Sequence, residues 1–238
     1  MEKTAILLGA TGLTGGVLLH RLLDDPDFGR VIVFTRRTTG VLHPKLEEHI
    51  VDLLRLDLVK KEIRGEVIFC CIGTTKAKTP NKKLYAKIDY GIPVQAGKIA
   101  AENGIQSFIV ISALGSNPKS RIFYNYLKGR MEEALLLLPI PHLQILRPSL
   151  IGGKRKEKRT AENISKFVMG ALDFIIPTKY KMVTPQEIAK TMIHLAKHPS
   201  QHTIITNTMI KNLGKKPKFE GGRLKAESIT NYGKINFN

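Results

Sequence analysis

The glycine-rich stretch near the start of the chain constrains the fold more than any other feature. A short, continuous apolar run at residues 5–8 precedes three glycines at three-residue spacing, Gly9, Gly12 and Gly15. Such a run is typical of a central strand that is covered on both faces of a parallel sheet. In a strand–turn–helix unit the first glycine permits a tight turn, the second lets the backbone approach a pyrophosphate, and the third lets the helix pack on the strand. The stretch therefore predicts a dinucleotide site, with an ordinary βα turn that happens to contain glycines as the alternative.

Strand-like and helix-like segments alternate along the rest of the chain. This alternation predicts an α/β fold with a doubly wound, mostly parallel Rossmann sheet and helices on both of its faces. The predicted strands are residues 5–8, 31–34, 50–51, 67–72, 107–111, 143–146 and 203–205. The predicted helices are residues 17–23, 84–102 with an interruption by Pro93 near Ile92, a helix starting at Tyr124, and one that begins with Thr184 as its N-cap and runs to about His198.

The length and the cysteines bound the organisation of the chain. The 238 residues suit one domain, and we expect a Rossmann domain over residues 1–212, with a small substrate lobe mainly within residues 149–183 and a basic tail at 213–238. No apolar run approaches the roughly 18 residues that span a bilayer. The adjacent Cys70 and Cys71 lie inside an apolar run, which fits reduced core thiols better than a disulfide. These features predict a cytoplasmic protein without a membrane segment.

The formal net charge of +18 raises the question of nucleic-acid binding. Half of the excess lies in two segments, residues 154–159 with +4 and residues 211–238 with +5. Neither segment interleaves aromatic residues with its basic ones, as a stacking surface for bases would. We therefore expect no nucleic-acid partner. The expected partners are a dinucleotide and a small-molecule substrate, bound by a monomer or a homodimer.

The residues after the second and third predicted strands bear on the identity of the cofactor. Arg36 and Arg37 stand where an acidic residue would bind the ribose 2′-hydroxyl of NAD, and arginine there accommodates a 2′-phosphate. The sequence thus favours NADP over NAD, with two solvated arginines as the alternative. Asp52 is placed to accept from the adenine amino group or to form a turn. Gly73 and Thr74 follow a buried strand on the ribose and nicotinamide side of the predicted site.

A serine, a tyrosine and a lysine form the candidate catalytic set. Ser112 stands at the carboxyl end of a predicted strand, and Tyr124 and Lys128 are four residues apart on one face of a predicted helix. An ammonium near the phenol would lower the pKa of the phenol, so that the phenol could deliver a proton to a carbonyl while Ser112 bonds the same oxygen. The alternative is an interfacial tyrosine with a solvent-reaching lysine. Tyr126 is a rival phenol, although its partner four residues on is Arg130.

Three histidines at four-residue intervals, His194, His198 and His202, raise the alternative of a zinc site. No carboxylate or cysteine accompanies them at ligand spacing. Histidines near the C-terminal end of a helix are also favoured by the helix dipole. We therefore expect no metal.

Four motifs together resemble atypical short-chain dehydrogenases/reductases. They are Gly-Ala-Thr-Gly-Leu-Thr-Gly at 9–15, Ile-Ser-Ala-Leu-Gly-Ser at 111–116, Tyr-x-x-x-Lys-Gly at 124–129 and Ile-Leu-Arg-Pro-Ser at 145–149. The match covers residues 3–206, and Met131-Glu132-Glu133, Arg147-Pro148 and the basic run after Gly153 are most similar to the Tat-interacting-protein-like branch.

The resemblance implies an NADP-binding Rossmann fold with Ser112, Tyr124 and Lys128 in the catalytic positions, and Ser116 is a second candidate for the serine. The expected cofactor-binding residues are Gly9, Thr11, Gly12, Leu13, Gly15, Arg36, Arg37, Asp52, Cys71, Gly73, Thr74, Tyr124, Lys128 and Arg147.

Two functions follow from these residues. One is an NADP(H)-dependent oxidoreductase that transfers hydride to or from a small carbonyl or alcohol, and the other is a non-catalytic NADP(H)-binding regulator. We expect the enzyme, because a binding protein would not need the serine, tyrosine and lysine together. A sugar-nucleotide epimerase is less expected, because the short chain after residue 147 leaves little room for a large substrate domain.

Overall fold

Seven parallel strands form one sheet within residues 2–152 and 177–215, which are the residues that this computed structural model describes. The strands are β1 (Lys3–Leu8), β2 (Phe28–Thr35), β3 (Leu46–Ile50), β4 (Val67–Cys70), β5 (Ser107–Ile111), β6 (His142–Arg147) and β7 (Ile204–Thr206). Their order across the sheet is β3-β2-β1-β4-β5-β6-β7. The chain therefore reverses its direction of winding between β1 and β4, and the carboxyl ends at this point are where doubly wound folds bind ligands.

Helices cover both faces of the sheet. They are α1 (Leu13–Asp24), α2 (Lys82–Ala86), α3 (Ile92–Glu102), α4 (Phe123–Leu136), α5 (Pro185–Lys197) and α6 (Asn207–Gly214), with 3₁₀ turns at Leu53–Val59 and Thr178–Tyr180 and a π turn at Lys87–Gly91. None of the helices within the described ranges is long and apolar enough to cross a membrane.

The core has two halves because β1 is buried on both sides. Ala5 and Leu7 join the cluster that includes Leu18 of α1 and Met192 of α5. Ile6 and Leu8 belong to the opposite cluster, which contains residues of α3 and α4. Strand residues alternate between faces, so a four-residue apolar run is what a doubly covered strand requires. The predicted doubly wound fold is confirmed, and within the described residues the sheet is parallel throughout.

The helical segment before β5 departs from the prediction. The sequence predicts an interruption by Pro93 near Ile92, whereas the structure continues as helix from Lys82 to Glu102 and places a π turn just before the proline. The N–H of Ile92 donates to the carbonyl of Lys87, five residues back. Pro93 has no N–H of its own, so the wide turn absorbs the missing bond without ending the helix.

The C-terminal part of the described chain confirms one predicted feature and adds another. Thr184 is the predicted N-cap and forms a capping box with Glu187, and α5 ends within one residue of the expected end. Helix α6 reaches Gly214, beyond Asn212, where the sequence loses its periodicity. Near the other end of the chain, the third strand was predicted at residues 50–51, and the structure has it earlier, at β3 (Leu46–Ile50). Most of the predicted substrate lobe and of the basic tail lies at residues 153–176 and 216–238, outside the described residues.

Candidate functional site

The glycine turn after β1 has the geometry that its sequence predicts. Gly9 has a φ of +89°, a left-handed conformation that favours glycine. A Cβ on Gly9 would lie 2.8 Å from the carbonyl oxygen of Cys71, and one on Gly15 would lie 2.1 Å from the carbonyl oxygen of Gly9. The N–H of Gly12 donates to this same Gly9 carbonyl at 2.9 Å. Side chains at Gly9 and Gly15 would therefore fill the space in which strand, turn and helix meet.

The N-terminus of α1 presents free donors beside this turn. Gly12 is the N-cap, no side chain of the described residues caps the helix, and its first turn contains no acidic residue. The unpaired N–H groups and the helix dipole favour an anion at this position. A cavity of about 590 Å³ adjoins the turn and is lined by Ala10, Thr11, Gly12, Gly16, Leu19, His20, Arg37, Thr38, Thr39 and Val41. The residues present thus fit the pyrophosphate and adenosine ribose of a dinucleotide.

Arg37, and not Arg36, lines this cavity. The loop after β2 is held by Glu48 of β3, which accepts the Thr38 hydroxyl at 2.8 Å and the Thr39 N–H at 2.9 Å. Burial alone would raise the pKa of Glu48, but the bonds from Thr39 and Thr38 hold it below its ordinary value. The loop that presents Arg37 is therefore fixed by an ionised carboxylate.

Asp52 and Cys71 both have structural partners near the predicted adenine and ribose positions. Asp52 Oδ1 accepts the N–H of Leu54 at 3.0 Å and caps the 3₁₀ turn that follows β3. This is the turn-forming role that the sequence leaves open, and contact with adenine stays a prediction. The carbonyl of Cys71 packs against Gly9. The Cys71 sulfur lies 3.9 Å from the Met192 sulfur, and burial raises the pKa of the Cys71 thiol.

The loop after β4 is tied to a buried carboxylate that the sequence analysis missed. Asp89, in the π turn, accepts the N–H of Thr74 on Oδ2 at 2.8 Å. Its other oxygen, Oδ1, lies 3.3 Å from Nζ of Lys128, and the side chains of the two residues are 1% and 3% exposed. In the sequence Asp89 is a single acidic residue among lysines and apolar residues ahead of Pro93, a pattern that does not indicate burial.

Lys128 has a second contact, at the end of β5. Its Nζ lies 3.4 Å from the carbonyl oxygen of Ile111, the residue directly before Ser112. Burial would lower the pKa of Lys128, but the charge of Asp89, the Tyr124 phenol and Cys70 outweigh it and raise the pKa above its ordinary value. The lysine is thus a buried, charged group at the carboxyl edge of the sheet.

Tyr124 lies in the first turn of α4, where the sequence predicts it, and is 37% exposed. It interacts electrostatically with Lys128 and with the phenol of Tyr85. Tyr85 donates from its hydroxyl to the Thr74 carbonyl at 3.2 Å and makes an edge contact with the Phe123 ring, centroid to centroid 5.7 Å. Burial, followed by the charge of Asp89, raises the pKa of Tyr85. Tyr124 is therefore the more accessible phenol beside Lys128.

Ser112 is buried in a polar network that includes Glu132, one helical turn after Lys128 on α4. Its hydroxyl donates to Glu132 and lies 2.9 Å from the Ser116 hydroxyl, which donates to the Ala113 carbonyl at 2.7 Å. Arg147 donates from Nε to both oxygens of Glu132 at 3.1 Å and also donates from its terminal nitrogen. The structure thus joins Ser112 and Ser116, the two candidates for one role. Arg147, which the sequence predicts to bind the cofactor, donates to Glu132 instead. The role of Glu132 as the acceptor for both Ser112 and Arg147 was not predicted.

The histidines of α5 lie away from this group. The rings of His194 and His198 are 5.2 Å apart, centroid to centroid. Burial, together with the neighbouring His198, lowers the pKa of His194. Within the described parts of the chain no cluster of three or more His, Cys, Asp or Glu side chains could hold a metal ion.

Comparison with known proteins agrees with this fold. Residues 5–121 match the model of the NAD dependent epimerase/dehydratase family. Among curated proteins, the chain is 30% identical over 200 residues to the mitochondrial protein FMP52 of Debaryomyces hansenii, covering 82% of this chain and 88% of that one. It is 27% identical over 219 residues to protein HTATIP2 of Rattus norvegicus, covering 90% of each. Since FMP52 is named a mitochondrial protein, a cytoplasmic location stays a prediction.

Solved structures share the architecture at low sequence identity. The UDP-N-acetylglucosamine 4-epimerase of Methanobrevibacter ruminantium superposes with a TM-score of 0.65 at 19% identity, over 85% of this chain and 75% of that one. The Bordetella bronchiseptica enzyme WbmH, solved with NAD⁺, gives a TM-score of 0.68 at 14% identity, over 87% and 76% of the two chains. Identities this low support the common fold alone.

Proposed function

Because this chain belongs to the NAD dependent epimerase/dehydratase family, we propose that it is an NADP(H)-dependent oxidoreductase acting on a small carbonyl or alcohol. Gly9, Gly12, Gly15 and the α1 N-terminus would hold the pyrophosphate, and Arg37 would bind the 2′-phosphate. A bound nicotinamide would supply or accept hydride, and Tyr124 at the start of α4, with Ser112 at the carboxyl end of β5, would handle the proton.

The observation that carries this proposal is the position of Lys128. Its ammonium lies within 3.4 Å of the backbone just before Ser112 and interacts with the Tyr124 phenol, so one buried cation joins the other two candidate catalytic residues. Tyr124 would give its proton to the substrate oxygen on reduction and take it back on oxidation. Its partial exposure leaves the phenol open to a substrate.

A regulatory protein that binds NADP(H) without turnover is the second candidate. The observation that favours it is the hydrogen bond that the Ser112 hydroxyl donates to Glu132. In this arrangement the hydroxyl is not free to donate to a substrate oxygen. The enzyme requires this hydroxyl to turn toward the substrate or requires Tyr124 to act as the main donor.

Substitution of the phenol discriminates the two functions. Tyr124→Phe keeps the ring and removes the proton, so NADPH affinity should be nearly unchanged while turnover falls by about 10². The measurements are fluorescence titration with NADPH and NADPH oxidation over a panel of aldehydes and ketones. Tyr126→Phe, two residues away on the same helix, is the control and should keep full turnover. NADPH binding with no turnover on any substrate would favour the regulator, and absence of NADPH binding would contradict both functions.

A further inference from the structure

Asp89 contacts two different parts of the site with its two carboxylate oxygens. Oδ2 accepts the N–H of Thr74 in the loop after β4, and Oδ1 faces Nζ of Lys128 on α4. The side chain of Asp89 is 1% exposed, so water does not compete for either contact. One buried carboxylate thus connects the loop on the cofactor side to the lysine on the proton-transfer side.

Among the described residues, Asp89 is the carboxylate that faces the Lys128 ammonium. The groups that act on the ammonium from the packed elements are Asp89 in the π turn, Tyr124 on α4 itself and Cys70 at the end of β4. The Cys70 thiol is neutral near pH 7, because burial raises its pKa to about 11. A buried ammonium with no anionic partner loses its proton readily.

We propose that Asp89 is a positioning residue of the candidate site: it keeps Lys128 protonated and fixes it between the Thr74 loop and the end of β5. This inference rests on the proposed function for its catalytic meaning. It also changes what Lys128 can do. An ammonium that is paired with a carboxylate has a weaker field at a distance than a lone ammonium, so Lys128 acts mainly on the groups that lie close to it.

The test is the titration of Lys128 itself. Lysine labelled with carbon-13 at the ε-position reports the charge state of each side chain by NMR, and the Lys128 signal is identified by its absence in Lys128→Met. In Asp89→Asn, which keeps an oxygen for the Thr74 N–H, the pKa of Lys128 should fall by at least about one unit. The control Asp57→Asn removes an exposed carboxylate and should leave the Lys128 signal unchanged. An unchanged Lys128 titration in Asp89→Asn would overturn the proposal.

A second variant covers the case in which Asp89→Asn does not fold. If Asp89→Asn fails to fold because the Lys128 ammonium is buried without a partner, the double variant Asp89→Asn/Lys128→Met should fold, because both charges are then removed. Equal failure of the single and double variants would overturn the proposal. The titration uses the protein without cofactor, so its result stands even if NADPH does not bind and the proposed function fails. If NADPH does bind, Asp89→Asn should weaken its affinity about tenfold, since both ends of the connection would lie beside the nicotinamide half of the cofactor.

Discussion

The hydroxyl of Ser112 donates to the buried carboxylate of Glu132, twenty residues further along the chain. Glu132 is 3% exposed and also receives the guanidinium of Arg147. The carboxylate therefore orients the serine and is itself paired with an arginine that remains partly open to water, with its side chain 34% exposed. This arrangement couples the carboxyl end of β5 to α4 and to the end of β6.

Replacement of Glu132 should cost considerable stability. Glu132→Ala leaves the Arg147 guanidinium and the Ser112 hydroxyl without their acceptor, and we expect the free energy of unfolding to fall by about 2–3 kcal/mol. The neighbouring Glu133 is 51% exposed and lies 3.6 Å from Arg130, so Glu133→Ala should cost less than about 1 kcal/mol. Urea unfolding followed by circular dichroism measures both. Equal losses in the two variants would show that the Glu132 network is not stabilising.

Cofactor preference should depend on Arg37 more than on Arg36. Arg37→Glu places a carboxylate in the cavity beside the glycine turn, so NADPH affinity should fall about tenfold or more while NADH affinity is less affected. Arg36→Glu makes the same charge change one residue away, outside the cavity lining, and should have the smaller effect. Titrations with both nucleotides at fixed salt measure the ratio. The choice of Arg37 is wrong if Arg36→Glu has the larger effect.

The close contact of Gly15 with the turn gives a third prediction. In Gly15→Ala the new methyl would overlap the Gly9 carbonyl at 2.1 Å, so the turn must shift, and we expect a loss of about 2 kcal/mol together with weaker dinucleotide binding. Gly16→Ala, in the same helical turn, brings a Cβ to 3.3 Å from the Ala10 carbonyl. It should be close to neutral, because alanine also favours the helix. Thermal unfolding with and without NADPH separates the two effects.

The capping box of α5 should make stability depend on pH. Burial alone would raise the pKa of Glu187, but the Thr184 N–H and the Lys211 ammonium lower it below its ordinary value of 4.5. A carboxyl whose pKa is lower in the folded state stabilises the fold above its ordinary pKa, and this contribution is lost as the pH falls through the folded value.

We therefore expect Glu187→Gln to be less stable than the native protein by about 1 kcal/mol at pH 7. The difference should shrink as the pH falls below 4.5. Urea unfolding at neutral and acidic pH measures it, and Glu102→Gln, whose carboxylate is 56% exposed, is the control with little effect at either pH. A deficit that is the same at both values would contradict an ionised Glu187.

The sequence predicts what depends on local pattern. The strand runs, the glycine turn and the Thr184 cap are each determined within about ten residues, and the structure has them at or near the predicted positions. Helix α6 was missed because its eight residues contain only three large apolar side chains and end in a glycine-rich, basic segment. The π turn could not be predicted, since Pro93 signals an interrupted helix but not on which side the chain adapts.

The missed members of the site are those whose partners are distant in sequence. Asp89 meets Lys128 and Glu132 meets Arg147 only after the sheet brings the π turn, α4 and β6 together. Tyr124 and Lys128 could be paired from their four-residue spacing alone, because both lie on one helix. A lone acidic residue on an amphipathic helix carries no such indication, and only the fold reveals that it is buried.

The π turn at Lys87–Gly91 also sets the rotational phase of the helix on either side of it. One additional residue in a helical turn rotates everything before it by about 100° relative to everything after it. Deletion of one residue here would restore a regular helix, but it would turn Tyr85 away from the Thr74 carbonyl while α3 kept its packing on the sheet. Substitutions along this helix can therefore be absorbed one at a time, whereas a change in its length at this point alters which side chains face the site.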